Sequence, residues 1–149
     1  MNFQVFCKRY SFNNMRKYIL MAIKPQYAYH IKQGTKTIEL RKRVPRVNCG
    51  DVLVIYESAP ISNITAYGII RNIFELSPCE LWKACGSKTM IDKTTFFEYF
   101  YQKETACGIE IDCVKVLREA KRLECISKKY APQSYYYITN DEFRRLIES

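Results

Sequence analysis

The sequence predicts an α+β domain: a small, mostly antiparallel β-barrel with inserted and flanking helices. Three observations carry the prediction. Strand-like segments, either alternating or short apolar runs, dominate the middle of the chain. Capped helix starts interrupt them, giving the order β-α-β-β-β-α-α-β-loop-β-α. Hydrophobic residues make up 48% of 149, enough for one buried core.

In chain order, Tyr18–Ile23 is an apolar run of strand length. Pro25 suits the first turn of a short helix, where its missing N–H has no partner to lose. Tyr27 and Ile31 lie four apart on one helical face, and Gly34 fits the left-handed residue that closes a helix. Lys36–Arg43 is β-branched and alternating, and Asn48-Cys49-Gly50-Asp51 reads as a turn. Val52–Ser58 is apolar on both faces except at Glu57, the pattern of a central strand. Ile64–Leu76 is a longer strand in which Gly68 marks a bulge. Ser77-Pro78-Cys79-Glu80 is a capping box with proline at the first helical position, and Leu76 staples to Leu81. Asp92 caps a helix carrying Phe96, Phe97 and Phe100, with Ile91 stapling to Phe96. Thr105–Leu117 alternates like a strand. After the turn Ala131–Ser134, Tyr135–Ile138 is a short terminal strand, and Thr139-Asn140-Asp141-Glu142 opens the last helix with a second capping box. Residues 1–14 have no clear period and read as an N-terminal extension, ordered or disordered, ahead of a single domain over 15–149.

Composition narrows the partners. No stretch reaches the roughly 18 apolar residues of a membrane span. The run Ile19–Ile23 is shorter than the ~7–15-residue core of a signal peptide. A cytoplasmic protein with no membrane partner is expected. Seven cysteines, at positions 7, 49, 79, 85, 107, 113 and 125, form no Cys-x-x-Cys pair and are remote from the single histidine, His30. Zinc ligands normally come in close pairs, and an odd count argues against full disulfide pairing. Reduced thiols packed as small apolar groups are expected, with no metal and no other cofactor. The net charge of +9 is unevenly placed. Residues 1–50 hold 11 Lys/Arg against the single acid Glu39, or +10; residues 51–149 hold 13 against 14 acids, or −1. Such asymmetry is typical of a polyanion-binding face.

The stretch Gly34-Thr35-Lys36-Thr37-Ile38-Glu39-Leu40-Arg41 carries the chemistry. At period 2, Thr37, Glu39, Arg41 and Arg43 share one face, while Ile38 and Leu40 point into a core. Same-face neighbours are about 6.5–7 Å apart at a strand rise of ~3.3 Å. Glu39 and Arg41 therefore pair with each other or converge on one ligand, and Lys36 curls its stem over the same mouth. Arginine forks onto phosphate or a base edge, glutamate accepts from an exocyclic amine, and lysine supplies a point charge or a basic amine. The set is a nucleotide clamp or, in the plainer alternative, a surface ion pair worth about 0–1 kcal/mol.

Gly34-x-Lys36-x-x-Glu39-x-Arg41 matches the Gly-x-Lys-x-x-Glu-x-Arg signature of the ASCH domain. The flanks agree: Ile23-Lys24-Pro25 before a helix, Gly50-Asp51 after the signature, Tyr56-Glu57-Ser58-Ala59-Pro60, Leu76-Ser77-Pro78 to Trp82, Phe96 to Phe100, and Ala131-Pro132-Gln133-Ser134-Tyr135. Over about residues 18–138 the chain resembles that family. The resemblance implies a PUA-like barrel whose cleft is lined by Lys36, Glu39 and Arg41. It implies recognition of RNA or a modified nucleobase, as in related PUA, EVE and YTH-type domains, in RNA metabolism or regulation. It also leaves a hydrolase open. One branch contains amidohydrolases acting on acetylated cytidine; Lys36 matches their lysine, while Glu39 stands where their threonine would be, with Thr37 nearby. Nuclease activity is also proposed within the family. As an enzyme, the chain would use Lys36 for charge and Glu39 as general base.

Further residues join the candidate site. Ser134 and Tyr136 share one face of the terminal strand, and Tyr135 or Tyr136 beside Gln133 can stack a base, for about 1–3 kcal/mol. Ser58, two residues after Tyr56, either reaches the rim or stabilises the turn with its hydroxyl. Trp82 reads as core and His30 as a surface or satisfied helix residue. The candidate ligand-binding set is Lys36, Thr37, Glu39, Arg41, Arg43, Ser58, Gln133, Ser134 and Tyr136. RNA or a modified nucleoside is the expected partner, and the oligomeric state is open.

Overall fold

The computed structural model describes residues 15–148, so the proposed extension over residues 1–14 lies outside the described residues. In chain order come β1 (Tyr18–Ile23), α1 (Pro25–Gln33), β2 (Ile38–Arg41), β3 (Val52–Glu57), β4 (Asn63–Leu76), α2 (Pro78–Cys85), α3 (Lys93–Tyr99), β5 (Ala106–Lys121), β6 (Tyr135–Ile138) and α4 (Asn140–Ile147). The strands form one six-stranded mixed sheet in the order β2-β5-β4-β3-β1-β6. β1 and β3 run parallel, from Tyr18 opposite Val52 to Ile23 opposite Glu57. The long crossover that parallel neighbours require holds α1 and β2. The other pairings are antiparallel.

The antiparallel majority agrees with the sequence reading, but among the described residues the sheet is not closed into a barrel. β2 and β6 stand at opposite ends of the strand order. β2 is only four residues long, and the chain bends away after Arg41. A side chain crosses the seam instead: the Arg41 guanidinium donates to the carbonyl of Ser134, just before β6, at 3.2 Å.

Alternation along the strands sorts the core. Ile19, Met21 and Ile23 of β1 join Leu53 and Ile55 of β3, with Ala28 and Ile31 of α1 in the same cluster. Leu20, Val52, Val54 and Tyr56 face the other way and meet Ile138, Phe143 and Leu146 of β6 and α4. All six β3 residues are consequently buried. A third cluster sets Ile38 and Leu40 of β2 against Leu81, Phe96 and Phe100 of the α2–α3 segment. Burying a side chain of this size contributes roughly 1.5–3 kcal/mol. Trp82 is only partly buried against that cluster.

Local chemistry sets the element ends. Ser77 accepts from the Glu80 N–H, Asp92 from the Thr95 N–H, and the Thr139–Glu142 capping box is reciprocal. Gly34 closes α1 at φ 80°. Gly68 lies at a register shift of β4 against β5. A Cβ there would sit 2.5 Å from Ile111 Cγ2, so the close approach needs glycine. The α2–α3 segment is an excursion whose ends meet, Leu76 pairing with Ala106.

Cys79, Cys85, Cys107, Cys113 and Cys125 are free thiols, with Cys85 and Cys107 buried. Cys49 corrects the expectation of reduced cysteines throughout: it is disulfide-bonded. It lies half-buried in the turn before β3, outside the packed core. Among the described residues no helix is long and apolar enough to cross a membrane.

Candidate functional site

A cleft of about 360 Å³ is lined by Tyr27 of α1, Glu39 and Arg41 of β2, Ser58 after β3, Tyr99 of α3 and Gln133 before β6. β2 supplies its charged groups by alternation. Ile38 and Leu40 are committed to the core, so Glu39 and Arg41 turn to the opposite face.

Glu39 is only 5% exposed. Its Oε1 accepts from the Leu40 N–H at 3.1 Å, while Oε2 is buried with no hydrogen-bond partner among the described residues. Burial raises its carboxyl above the ordinary pKa of 4.5, and the charges of Lys36 and Arg41 oppose the rise. Buried polar atoms are nearly always paired, so an unpartnered acceptor at a cleft wall fits a ligand's donor.

Lys36 is 1% exposed. Its Nζ donates to the Thr89 carbonyl at 2.7 Å and stands 5.3 Å from the Tyr27 ring centroid. Desolvation lowers its pKa, partly offset by Glu39. The expectation that its stem curls over the mouth is therefore corrected. The chain after Gly34 turns Lys36 inward, where the Thr89 carbonyl holds it.

Arg41 is half-buried and tied to two neighbouring segments. It donates to the Ala22 carbonyl at 3.3 Å, and to the Ser134 carbonyl and hydroxyl at 3.2 and 2.8 Å. A guanidinium has five N–H donors, so some remain for the cleft. Among the described residues it forms no salt bridge with Glu39, leaving the two groups side by side for a third party.

The other expected residues divide. Ser58 and Gln133 line the cleft. Ser134 does not, and instead braces Arg41. Thr37 is held by its main chain, its N–H donating to Lys88 and its carbonyl accepting from Ile111, and it is not part of the lining. Arg43 is exposed and off the cleft, because β2 ends at Arg41 and the period-2 face ends with it. Tyr136 lies on the wrong face: it pairs with Leu20, packs in the cluster beside α4, and donates its hydroxyl to the Tyr130 carbonyl at 3.1 Å.

The family model of the ASCH domain matches residues 21–135. The chain belongs to the ASCH domain family. An ASCH domain-containing ribonuclease of Zymomonas mobilis is 23% identical over 135 residues, covering 89% of this chain and 91% of the relative. The crystal structure of ASCH from Zymomonas mobilis has the same fold, with a TM-score of 0.83 at 22% identity over 90% of this chain and 96% of that one. The N-terminal domain of Staphylothermus marinus McrB shares the fold more distantly, with a TM-score of 0.56 at 8% identity over 87% and 92% of the two chains.

The ASCH cleft also contains residues absent from the expected set. Tyr27 and Tyr99 present aromatic rings, and Thr95 stands one helical turn before Tyr99. The Tyr99 hydroxyl donates to the Leu40 carbonyl at 3.5 Å, burial raises its pKa, and Lys42 Nζ lies 4.9 Å from its ring centroid. Thr95 and Tyr99 are four apart beside the core pair Phe96 and Phe100, a signal present in the sequence. Which α3 face meets β2 is a tertiary fact. The cleft assembles one buried carboxylate, guanidinium donors and two rings, while the desolvated Lys36 amine is outside its lining.

Proposed function

We propose that this ASCH domain binds RNA by taking one base, standard or modified, into the cleft. The carrying observation is the buried Glu39 Oε2, without a donor among the described residues, in the cleft with Arg41. A carboxylate oxygen accepts from an exocyclic amine, guanidinium donors satisfy ring or carbonyl acceptors, and tyrosine rings stack a base. About 360 Å³ falls in the size range of small-molecule sites, roughly 300–1,000 Å³. A base reaches such a site only when it is out of a duplex stack, which favours single-stranded or flipped substrates. On this reading the Arg41 bridge across the seam completes a PUA-like barrel by side chains, and the domain serves RNA metabolism or regulation in the cytoplasm. The test is a titration of fluorescent single-stranded RNA with wild type, Glu39→Ala and Arg41→Ala at two salt concentrations. Salt-sensitive binding lost in both variants is expected. Equal affinity in all three proteins removes the cleft from the interaction.

A second reading, hydrolysis, is favoured by the name of the Zymomonas mobilis relative and by the Lys36–Glu39 pair. Burial drives the carboxyl up and the amine down, which brings the proton affinities of the two groups closer together. Glu39 is the general base and Lys36 supplies the charge. Wild type, Lys36→Met and Glu39→Gln incubated with single-stranded RNA and with acetylcytidine decide it. Turnover lost in both variants makes the domain an enzyme; intact substrates leave it a binding module.

A further inference from the structure

We propose that residues 41–46 form a fixed basic strap that carries the phosphate backbone of single-stranded RNA away from the cleft and along β6 toward Tyr137. The inference rests on the cleft reading, because one base is taken to sit at Glu39 and Arg41.

Arg41-Lys42-Arg43-Val44-Pro45-Arg46 holds four cations and no acid. Most such runs are solvated loops, but this one is anchored at both ends to one edge of the sheet. Arg41 grips Ser134, just before β6. Five residues later the Arg46 N–H donates to the Tyr135 hydroxyl at 3.2 Å, and its carbonyl accepts from the Tyr137 hydroxyl at 2.7 Å. Pro45 is buried, and Val44 packs against the core on the underside. The main chain is thus fixed while Lys42, Arg43 and Arg46 stay exposed. Among the described residues none of these three joins a salt bridge. The neighbouring acid Asp51 is buried and committed to the N–H groups of Lys17 and Asn48, at 2.9 and 2.7 Å.

A ring and a cation stand at each end. Lys42 lies over Tyr99, which lines the cleft. At the far end Lys17 Nζ lies 5.8 Å from the centroid of Tyr137, whose side is 45% exposed. Guanidinium forks match phosphate oxygens, and an exposed ring beside a cation stacks a further base. Six residues span at most about 20 Å, the reach of several nucleotides and not of a free nucleoside.

The test titrates a fluorescent single-stranded decaribonucleotide and a trinucleotide across a salt series against wild type, Arg43→Gln/Arg46→Gln, Tyr135→Phe/Tyr137→Phe and Glu39→Ala. Each phosphate contact on a single strand contributes about 0.7 to the slope of log affinity against log salt, so Arg43→Gln/Arg46→Gln is expected to lower it by about 1.4 and weaken decamer binding roughly tenfold at physiological salt. The trinucleotide should lose less. Tyr135→Phe/Tyr137→Phe keeps every cation and ring but frees Arg46, and should weaken decamer binding with the slope unchanged. An unchanged slope in the arginine variant, with Glu39→Ala impaired, overturns the strap and leaves the cleft reading standing. Wild type that binds neither probe overturns both. Polyglutamate bound as tightly as the decamer would make the strap a general polyanion surface and overturn its assignment to RNA.

Discussion

Glu39→Gln tests the electrostatics of the cleft while preserving its shape. The variant keeps Oε1 for the Leu40 N–H and replaces the unpartnered Oε2 with an amide nitrogen. Two effects compete. If Lys36 and Glu39 are a buried ion pair, removing one charge strands the other and costs about 3–5 kcal/mol. If desolvation outweighs their attraction, the native carboxylate is a liability of about 1–3 kcal/mol, and its removal stabilises the fold. The second outcome is expected. Burial is the largest influence on both groups, pushing Glu39 up and Lys36 down, and Lys36 keeps its own acceptor at Thr89. At this chain length each kcal/mol moves the midpoint by about 2–4 °C. The pH dependence has a definite sign. The unfolded chain releases the Glu39 proton near 4.5, and the folded chain holds it to higher pH. Across that window the native state binds more protons, so this group's contribution to stability falls as pH rises. Calorimetry of both proteins from acidic to neutral pH should show a small gap below 4.5 that widens above it, the variant melting higher. A variant that melts lower at neutral pH, or a gap independent of pH, refutes the reasoning.

Other substitutions probe packing and thiols. Gly68→Ala places a methyl group 2.5 Å from Ile111 Cγ2 and 3.1 Å from the Asp112 carbonyl oxygen. Such overpacking should cost about 1–3 kcal/mol, read as a lower urea midpoint with an unchanged m-value. Thr139→Ala removes the acceptor of the Glu142 N–H at 3.0 Å. It should destabilise by about 0.5–2 kcal/mol in the same assay. Burial lifts the Cys85 thiol to about 11 and that of Cys107 to about 12. A thiol reagent at neutral pH should therefore label exposed Cys79, Cys113 and Cys125 quickly and reach the other two only on unfolding. Rapid native labelling of Cys107 contradicts this.

Features that rest on chain neighbours were legible in the sequence. Alternation at Ile38, Glu39, Leu40 and Arg41 separates core from cleft before any distant contact is known. Ser77, Asp92 and Thr139 announce helices through a hydrogen bond three residues ahead. Periodicity carries no further than its element: Arg43 shares the Glu39 face only in a strand that runs past Arg41, and β2 ends there. Consecutive tyrosines in the short strand β6 give no polar–apolar contrast, so the sequence does not orient Tyr136. The seam between β2 and β6 depends on distances between remote segments, which neither strand's period encodes. Tyr27 and Tyr99 depend on how helices fold onto the sheet. Residue types alone leave Glu39 and Arg41 open between a ligand clamp and an ordinary ion pair; the ASCH signature adds the expectation of a shared cleft, and the structure puts Glu39 and Arg41, but not Lys36, in its lining.

The α2–α3 excursion leaves at Leu76 and returns at Ala106, which lie opposite one another. By topology it is the loop of a long hairpin, and loop closure depends weakly on length, each doubling costing only about 0.6 kcal/mol. Its two duties are offset by one residue on α3. Phe96 and Phe100 fasten it over Ile38 and Leu40, while Thr95 and Tyr99 look into the cleft. Evolution or an engineer can therefore rewrite this roof, exchanging the inward pair or adding turns between the fasteners, while the floor of Glu39 and Arg41 stays on its strand. Variation in what such a domain accepts is expected to concentrate in one replaceable cassette, with the sheet beneath unchanged.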